Sequence, residues 1–156
     1  MHKVVVLGRG GAGKSTLAAR LGAAAALPVI ELDKYFWPPD LTPIPKDQWS
    51  RIQRRLVSEP IWVLDGDLGP YDVLEVRLQA ADTVVVLDFP LWRCAWRALR
   101  RSRENVAFWR WVIGYRRRSL PLIEAAIARH AAHADIHLLR TSRDVEHLLA
   151  RTRQRP

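Results

Sequence analysis

The segment from Gly8 to Ser15 constrains the fold of this chain more than any other. Its sequence, Gly-Arg-Gly-Gly-Ala-Gly-Lys-Ser, matches the pattern G-x-x-x-x-G-K-[ST] in full. Glycines let the backbone curl until successive N–H groups point at phosphate oxygens, and the helix that follows adds its positive N-terminal end. The segment lies between an apolar run, residues 3–7, and a helical pattern, residues 14–26, which is the context that such a loop requires. The sequence therefore predicts a phosphate loop that binds a nucleoside triphosphate.

Individual residues of the predicted phosphate loop have different tasks. Lys14 reaches the β- and γ-phosphates and so takes part in catalysis, the Ser15 hydroxyl ligates Mg²⁺, and Thr16 contacts the α-phosphate. The cofactors that this pattern implies are ATP and Mg²⁺. The predicted nucleotide-binding residues of the loop are Gly8, Gly10, Gly11, Ala12, Gly13, Lys14, Ser15 and Thr16.

The same glycines also fit the dinucleotide fingerprint G-x-G-x-x-G, and acidic residues follow about 20 positions later, as they do in NAD-binding domains. That alternative leaves Lys14 and Ser15 unexplained. It also needs a substrate domain for which 156 residues leave no room. We therefore favour the triphosphate loop over an NAD site.

Apolar runs alternate with helical patterns along the rest of the chain. The predicted strands cover residues 3–7, 28–32, 61–65, 83–88 and 135–139, and the predicted helices cover residues 14–26, 47–58, 71–81, 90–103, 105–133 and 142–153. This alternation is typical of an α/β fold in which helices cover both faces of a parallel sheet, a three-layer sandwich. We expect a single domain over residues 1–156, a break near Gly114 or Pro121 in the long helix, and Ser142 as the N-cap of the last helix.

Charge is distributed unevenly along the chain. The formal net charge is +9, but residues 1–92 carry −1 and residues 93–156 carry +10, all of the latter's basic side chains being Arg. Such asymmetry favours a surface for polyanions, either nucleic acid or the phosphates of a small ligand, and a solvated basic face is the alternative. With one Cys and no apolar run near 18 residues, the sequence predicts a cytoplasmic protein without a membrane span.

Carboxylates follow three of the predicted strands, where ligands of open parallel sheets bind. Asp65 ends the third strand and is the candidate that holds Mg²⁺ together with Ser15. Asp33, after the second strand, is the candidate that orients or deprotonates an acceptor hydroxyl. Asp88 is interpreted as a helix cap, and Asp67 and Asp72 as solvated loop residues rather than ligands of substrate hydroxyls.

Several segments beyond the phosphate loop form a pattern together. They are Leu32-Asp-Lys-Tyr-Phe-Trp37, Trp62-Val-Leu-Asp-Gly66, Val86-Leu-Asp-Phe-Pro-Leu-Trp92, Phe108-Trp-Arg-Trp-Val112, residues 116–118 and Leu139-Arg-Thr-Ser-Arg-Asp-Val145. With the loop, they make nearly the whole chain resemble the adenylate-kinase-like P-loop kinases often labelled DNA topology modulation proteins. The resemblance implies a P-loop NTPase fold with sheet order 2-3-1-4-5, a substrate-side helix at about 47–58 and a lid at about 97–118. It also implies that Arg140 lies near the nucleotide base.

The sequence departs from that family at two places. Asp67 stands where relatives usually carry Asn, and the segment between Arg101 and Phe108 is shorter than expected, so the lid is predicted to be clipped. Nucleoside monophosphate kinases carry an Arg soon after the corresponding Asp-Gly pair to bind the acceptor phosphate. The segment at residues 65–71 contains none, so another Arg takes that place or the acceptor is uncharged there. The substitutes considered are Arg51, Arg54 and Arg55.

Arginines and tryptophans share the predicted helix that begins at Pro90. Arg97, Arg100 and Arg101 lie on one face together with Arg93, and we predict that they are lid arginines that stabilise charge on the transferring phosphoryl group. A solvated face, or contact with a nucleic-acid backbone in which Trp109 and Trp111 stack on bases, are the alternatives. The apolar stripe on this helix is expected to face the core, and it consists of Trp92, Trp96 and Leu99.

These features favour an ATP- and Mg²⁺-dependent phosphotransferase that acts on a small molecule, nucleoside or nucleotide through its hydroxyl or phosphate. The alternatives are a nucleic-acid-binding P-loop NTPase that affects DNA topology and a nucleotide-binding protein without turnover. The sequence leaves the acceptor, the preferred base and the oligomeric state open.

Overall fold

The computed structural model describes residues 1–37, 42–101 and 106–154, with the backbone alone at residues 70, 101, 107 and 108. Within these residues the strands are β1 (Lys3–Gly8), β2 (Val29–Glu31), β3 (Trp62–Asp65), β4 (Thr83–Leu87) and β5 (Asp135–Leu139). All pair in parallel, in the order β2-β3-β1-β4-β5, which confirms the order that the resemblance implied. β1, which precedes the phosphate loop, is therefore central, and the ends of β3 and β4 flank the loop.

Helices connect the strands on both faces of the sheet. In the described ranges they are α1 (Lys14–Ala25), α2 (Asp33–Phe36), α3 (Lys46–Val57), α4 (Leu74–Ala80), α5 (Leu91–Arg101), α6 (Val106–His130) and α7 (Ser142–Gln154), with a 3₁₀ turn at Gly69–Tyr71. The sequence did not predict α2, which is only four residues long. No helix in this part of the chain is long and apolar enough to cross a bilayer.

The central strand distributes its side chains to two apolar layers. Val4 and Val6 pack under α1 and α7, whereas Val5 and Leu7 pack under α4 and α6 on the opposite face. All four valine and leucine side chains are fully buried. Burial on both faces is what a continuous apolar strand requires, so the predicted three-layer α/β sandwich is confirmed.

The long helix α6 runs without interruption through Gly114 and Pro121, so the predicted break is wrong. A proline inside a helix removes one backbone hydrogen bond and crowds the preceding turn. That local cost is offset by tertiary packing, because Ile123 and Ile127, in the turns after Pro121, are buried against the sheet.

The last helix begins with a capping box, and the N-cap that the sequence analysis predicted, Ser142, is one residue too late. The Thr141 hydroxyl accepts a hydrogen bond from the Asp144 N–H at 3.2 Å, and the Asp144 carboxylate accepts one from the Thr141 N–H at 2.8 Å. Thr141, and not Ser142, is therefore the N-cap residue.

Thr141→Ala should lower the free energy of unfolding by about 1 kcal/mol, the usual cost of losing an N-cap side chain. Urea unfolding followed by circular dichroism measures the change. Thr141→Ser keeps the hydroxyl and serves as the control. Equal losses in both variants would contradict the assignment of the cap.

Helix α5 presents its large apolar side chains to solvent, opposite to the prediction. Trp92, Trp96 and Leu99 are 74%, 60% and 64% exposed. The buried face consists of small residues, Cys94 among them, because α5 lies directly on the phosphate loop. A Cβ at Gly11 would stand only 2.3 Å from the Cys94 carbonyl oxygen, and the φ of +77° at Gly11 is also one that other residues rarely adopt. No side chain larger than that of glycine therefore fits at position 11, between the backbones of the phosphate loop and α5.

Candidate active site

The phosphate loop has the curled backbone that its sequence predicts. Gly13 adopts the left-handed conformation with φ of 96° and directly precedes α1, and the Ala12 N–H donates to the Arg9 carbonyl at 3.1 Å. The Lys14 ammonium donates to the carbonyl oxygens of Gly8 at 2.8 Å and Arg9 at 3.4 Å, so it lies across the loop. The loop thus brings a cation and backbone N–H groups to one concave surface.

Two hydroxyls lie on the first turn of α1, directly after Lys14. Ser15 and Thr16 are both exposed, and they stand where the positive end of the helix is strongest. In this position they can reach an anion or a cation bound above the loop.

Of the predicted lid arginines, the structure brings Arg97 to the loop. Its Nη1 donates to the Ala12 carbonyl at 3.3 Å and would lie 2.9 Å from a Cβ at Gly13. Arg100 instead stacks on the Trp96 ring, 5.2 Å from its centroid, on the exposed side of α5. The side chain of Arg101 and the shortened lid segment at residues 102–105 lie outside the described residues, as do positions 38–41 of the proline-rich loop.

A groove opens on the α5 and α7 side of the loop. Arg93 stacks on the Phe89 ring at 4.2 Å and donates to the Ser142 hydroxyl at 2.8 Å, while Arg20 forms a bidentate pair with Glu146. Arg140 stands at the end of β5, with its Nε 3.7 Å from the Asp88 carboxylate. The lining residues of the groove are Ala12, Gly13, Thr16, Leu17, Arg20, Leu87, Phe89, Arg93, Arg97, Ser142, Val145 and Glu146.

Carboxylates gather on the other side of the loop. Asp65 is buried at the end of β3, paired in register with Val6 of β1. Asp33 begins α2 and remains accessible to solvent. Partial burial raises the pKa of Asp33, the charge of Lys14 opposes this, and the neighbouring carboxylates of Asp65, Glu31 and Asp67 raise it further. The Lys14 ammonium and this acidic group therefore lie within electrostatic reach of each other.

Asp67 is not a solvated loop residue, contrary to the sequence interpretation. Its carboxylate accepts hydrogen bonds from the Gly69 N–H at 3.1 Å and from the Tyr115 O–H of α6 at 3.3 Å. Burial raises the pKa of Asp67, with the charge of Lys14 opposing. Burial and the Asp67 carboxylate likewise raise the pKa of Tyr115 far above its ordinary value. Asp67 thus joins the loop after β3 to α6.

Asp72 forms a buried ion pair that the sequence analysis missed. Arg77 of α4 is fully buried, and its two terminal nitrogens donate to the Asp72 carboxylate at 2.7 and 2.6 Å. Arg77 also donates to the Gly66 carbonyl at 3.0 Å, and Gln53 of α3 donates to Asp72 at 2.9 Å. This network fixes the segment that carries Asp67.

Arg77→Met should lower the free energy of unfolding by about 3–5 kcal/mol, because it leaves the Asp72 carboxylate buried without its counter-charge. Burial works against ionisation of Asp72, but Arg77 and the hydrogen bonds outweigh it and hold its pKa below the ordinary value. The ion pair therefore stabilises the fold fully above the unfolded pKa, near 4. Its contribution is lost only as the pH falls through the lower folded value.

Urea titrations at neutral and acidic pH test this stability prediction. Arg51→Met is the matched control, since Arg51 pairs with Asp47 at 3.2 Å on an exposed face and should contribute little. Losses of similar size in the two variants would contradict the account.

The arginines considered for an acceptor phosphate, Arg51, Arg54 and Arg55, lie on α3. Arg54 lines a groove between α3 and α4. Arg51 pairs with Asp47 on α3, so the described contacts of Arg51 and Arg54 are with α3 and α4, and the role considered for Arg55 stays a prediction.

Arg116, from the cluster at residues 116–118, binds Asp88 in a bidentate pair at 2.9 and 2.8 Å. The sequence did not predict this ion pair, and the role of Asp88 as a helix cap stays a prediction.

The described residues contain no group of three or more His, Cys, Asp or Glu side chains arranged to hold a metal ion. A dedicated protein cage is not what Mg²⁺ needs beside a nucleotide, because phosphates and water supply most of its ligands. One hydroxyl and one buried carboxylate flank the loop, Ser15 and Asp65, and such hard oxygen donors suit this ion.

The class of this protein is shown by its fold and not by a sequence relative. No protein-family profile and no curated protein sequence matches the chain. Its structure is similar to that of a shikimate kinase from Acinetobacter baumannii, with a TM-score of 0.70, 15% identity, and coverage of 97% of this chain and 90% of the other. The chain therefore has the α/β P-loop NTPase fold.

Two further solved structures narrow the comparison within that fold. A gluconokinase from Sinorhizobium meliloti 1021 has a TM-score of 0.57 at 17% identity, covering 96% of this chain and 92% of the other. A deoxyadenosine kinase from M. mycoides has a TM-score of 0.51 at 13% identity, covering 95% and 97%. These neighbours support the adenylate-kinase-like form of the fold, and the link to DNA topology stays a prediction.

Proposed function

We propose that this chain is a phosphotransferase that uses ATP and Mg²⁺ to phosphorylate a hydroxyl group of a small molecule. The observation that carries the proposal is the placement of the Asp33 carboxylate within electrostatic reach of the phosphate-loop lysine, Lys14. A phosphate loop alone would be consistent with any P-loop NTPase and would not indicate a phosphotransferase. A carboxylate near the loop with a raised pKa would supply the base that transfer to a hydroxyl uses.

The phosphate loop and the groove beside it would bind the nucleotide. The loop N–H groups and Lys14 would bind the β- and γ-phosphates, with the ammonium exchanging its carbonyl contacts for phosphate oxygens. The nucleobase of ATP would occupy the groove near Arg93 and Ser142, and Arg140 would border this groove from the end of β5. When bound, Mg²⁺ would neutralise charge on the phosphates, held by Ser15 and Asp65.

In the proposed transfer, the acceptor oxygen forms a bond to the γ-phosphorus while the bond to the β-phosphate oxygen breaks. Asp33 takes the proton of the acceptor hydroxyl. Lys14 and Arg97, both in contact with the loop backbone, would stabilise the charge that spreads over the transferring group. Arg100 and Arg101 were proposed for the same task, and of these Arg100 lies on Trp96 instead.

The structural neighbours support a kinase and leave the acceptor unassigned. Their names describe kinases of shikimate, of gluconate and of deoxyadenosine. The proposed acceptor is accordingly a small hydroxyl compound, a set that contains hydroxy acids, sugars and nucleosides.

Transfer from γ-labelled ATP·Mg²⁺ to pooled hydroxy acids, sugars, nucleosides, nucleoside monophosphates and short oligonucleotides tests the proposal. We expect a labelled small-molecule product. Calorimetry with ATP runs alongside, so that binding and transfer are separated. Tight ATP binding without any labelled product would favour a nucleotide-binding protein without turnover, and label on oligonucleotides alone would favour a nucleic-acid substrate.

A further inference from the structure

The second residue of the phosphate loop, Arg9, carries a buried guanidinium in which two of the three nitrogens lack a hydrogen-bond partner. Arg9 is only 2% exposed, and its Nε and Nη1 have no partner in the part of the chain that the structure describes. A guanidinium offers five N–H donors and keeps its charge at any physiological pH. Burying such a group without a counter-charge is costly, so its retention beside a catalytic loop points to an anionic ligand.

Other arginines around the site have their partners within the protein. Arg77 binds Asp72, and Arg116 binds Asp88, each through two hydrogen bonds to carboxylate oxygens. Arg97 donates to the Ala12 carbonyl. Arg77 also has one buried nitrogen without a partner, its Nε, but the Asp72 carboxylate neutralises its charge. Arg9 differs because two of its nitrogens lack a partner and no carboxylate of the described residues forms an ion pair with it.

Arg9 lies on the carboxylate side of the loop, where the acceptor is proposed to bind. Its guanidinium carbon lies 5.5 Å from the centre of the Tyr115 ring, and the hydroxyl of that ring donates to Asp67 on the strand-end loop. Tyr115 belongs to α6 and is fully buried. Arg9 therefore faces the carboxylate side, whereas the nucleotide groove is lined by Arg93, Arg97 and Ser142.

We propose that Arg9 binds an anionic group, a carboxylate or a phosphate, on the acceptor molecule. This inference rests on the proposed function and narrows its substrate to small hydroxyl compounds that also carry an anion. Asp33 and Arg9 then divide the recognition of one molecule, the first at its reacting hydroxyl and the second at its charge. Arg9 would thus take the place of the acceptor-binding Arg that is missing soon after Gly66.

Matched acceptor pairs test the inference by activity. Each acid is compared with its amide and each nucleoside monophosphate with its nucleoside, in the wild type, Arg9→Met and Arg9→Lys. The wild type should prefer the anionic member, and Arg9→Met should raise the KM of that member by about 10- to 100-fold, the loss of a charged hydrogen bond. Arg9→Lys should recover part of this. The KM for ATP should stay within about twofold in all three.

A binding measurement tests Arg9 even if no acceptor is found. With the nucleotide site filled by a non-hydrolysable ATP analogue, titration with inorganic phosphate should show binding to the wild type that is at least about tenfold weaker in Arg9→Met. Melting temperatures of the variants establish that they fold. Arg51→Met, on the exposed face of α3, is the control.

The results separate this inference from the proposed function. Equal use of anionic and neutral acceptors by the wild type would overturn the role of Arg9 and leave the kinase intact. A raised KM for ATP in Arg9→Met, with acceptor preference unchanged, would assign Arg9 to the γ-phosphate and also overturn it. Unchanged phosphate binding in Arg9→Met would do the same without any catalytic assay.

Discussion

Replacing Asp33 by Asn should lower kcat/KM for the acceptor by about 10²- to 10⁴-fold while the Kd for ATP stays unchanged. The change keeps the size of the side chain and removes only its ability to accept a proton. Asp33 lies on the proposed acceptor side of the loop, where partial burial and the neighbouring carboxylates raise its pKa and the charge of Lys14 opposes this. Stopped-flow or steady-state transfer assays, with calorimetry for ATP, measure the two effects separately.

The pH profile gives Asp33 a second signature. Partial burial raises the pKa of Asp33 despite the opposing charge of Lys14, so the deprotonated base forms only above the ordinary Asp value of about 4. The wild-type kcat/KM should therefore fall on the acid side with a midpoint above that value, and Asp33→Asn should lack this limb. Asp47→Asn, an exposed carboxylate of α3, is the matched control. Full activity in Asp33→Asn would remove the residue from the mechanism.

Replacing Lys14 by Ala should lower kcat by about 10²- to 10³-fold, the usual cost of removing one donor to a developing negative charge. The Lys14 ammonium already lies 2.8 Å from the Gly8 carbonyl, so it needs only a short movement to reach a phosphate held by the loop. Because the backbone N–H groups remain, ATP binding should weaken less than turnover does. Single-turnover transfer and equilibrium binding distinguish the two.

Lys46→Ala, at the exposed start of α3, controls for the loss of a lysine charge elsewhere. Near-normal turnover in Lys14→Ala would contradict the phosphate-loop mechanism as a whole. A variant that binds no ATP at all would instead show that Lys14 holds the loop in shape.

The sheet and the phosphate loop were predictable because their signals are local. Buried parallel strands need continuous apolar runs, and the loop needs glycines before a helix, so both leave direct traces in the sequence. The order of the strands came from the resemblance rather than from the pattern. The first residue of α7 was predicted, but its N-cap was placed one residue too late, because Thr141 and Ser142 are both good caps and only the hydrogen bonds with Asp144 decide between them.

Other features depend on contacts between distant segments. The tryptophans of α5 were expected inside, but the close approach of Gly11 to Cys94 admits only small residues on the buried face. Gln53 of α3 donates to Asp72, and Arg9 contacts Tyr115 of α6, so spacing along the chain does not reveal these contacts. For this reason the sequence suggested that Asp67 and Asp72 are solvated, whereas each binds a buried side chain, Tyr115 and Arg77 respectively.

The fate of the γ-phosphate of ATP tests the central claim most directly. Wild-type protein and Lys14→Ala would be incubated with γ-labelled ATP, Mg²⁺ and the acceptor pool, and the labelled products separated. The account predicts label in an organic phosphate ester with the wild type and little or none with the variant. Label recovered only as inorganic phosphate, or left in ATP, would contradict a phosphotransferase.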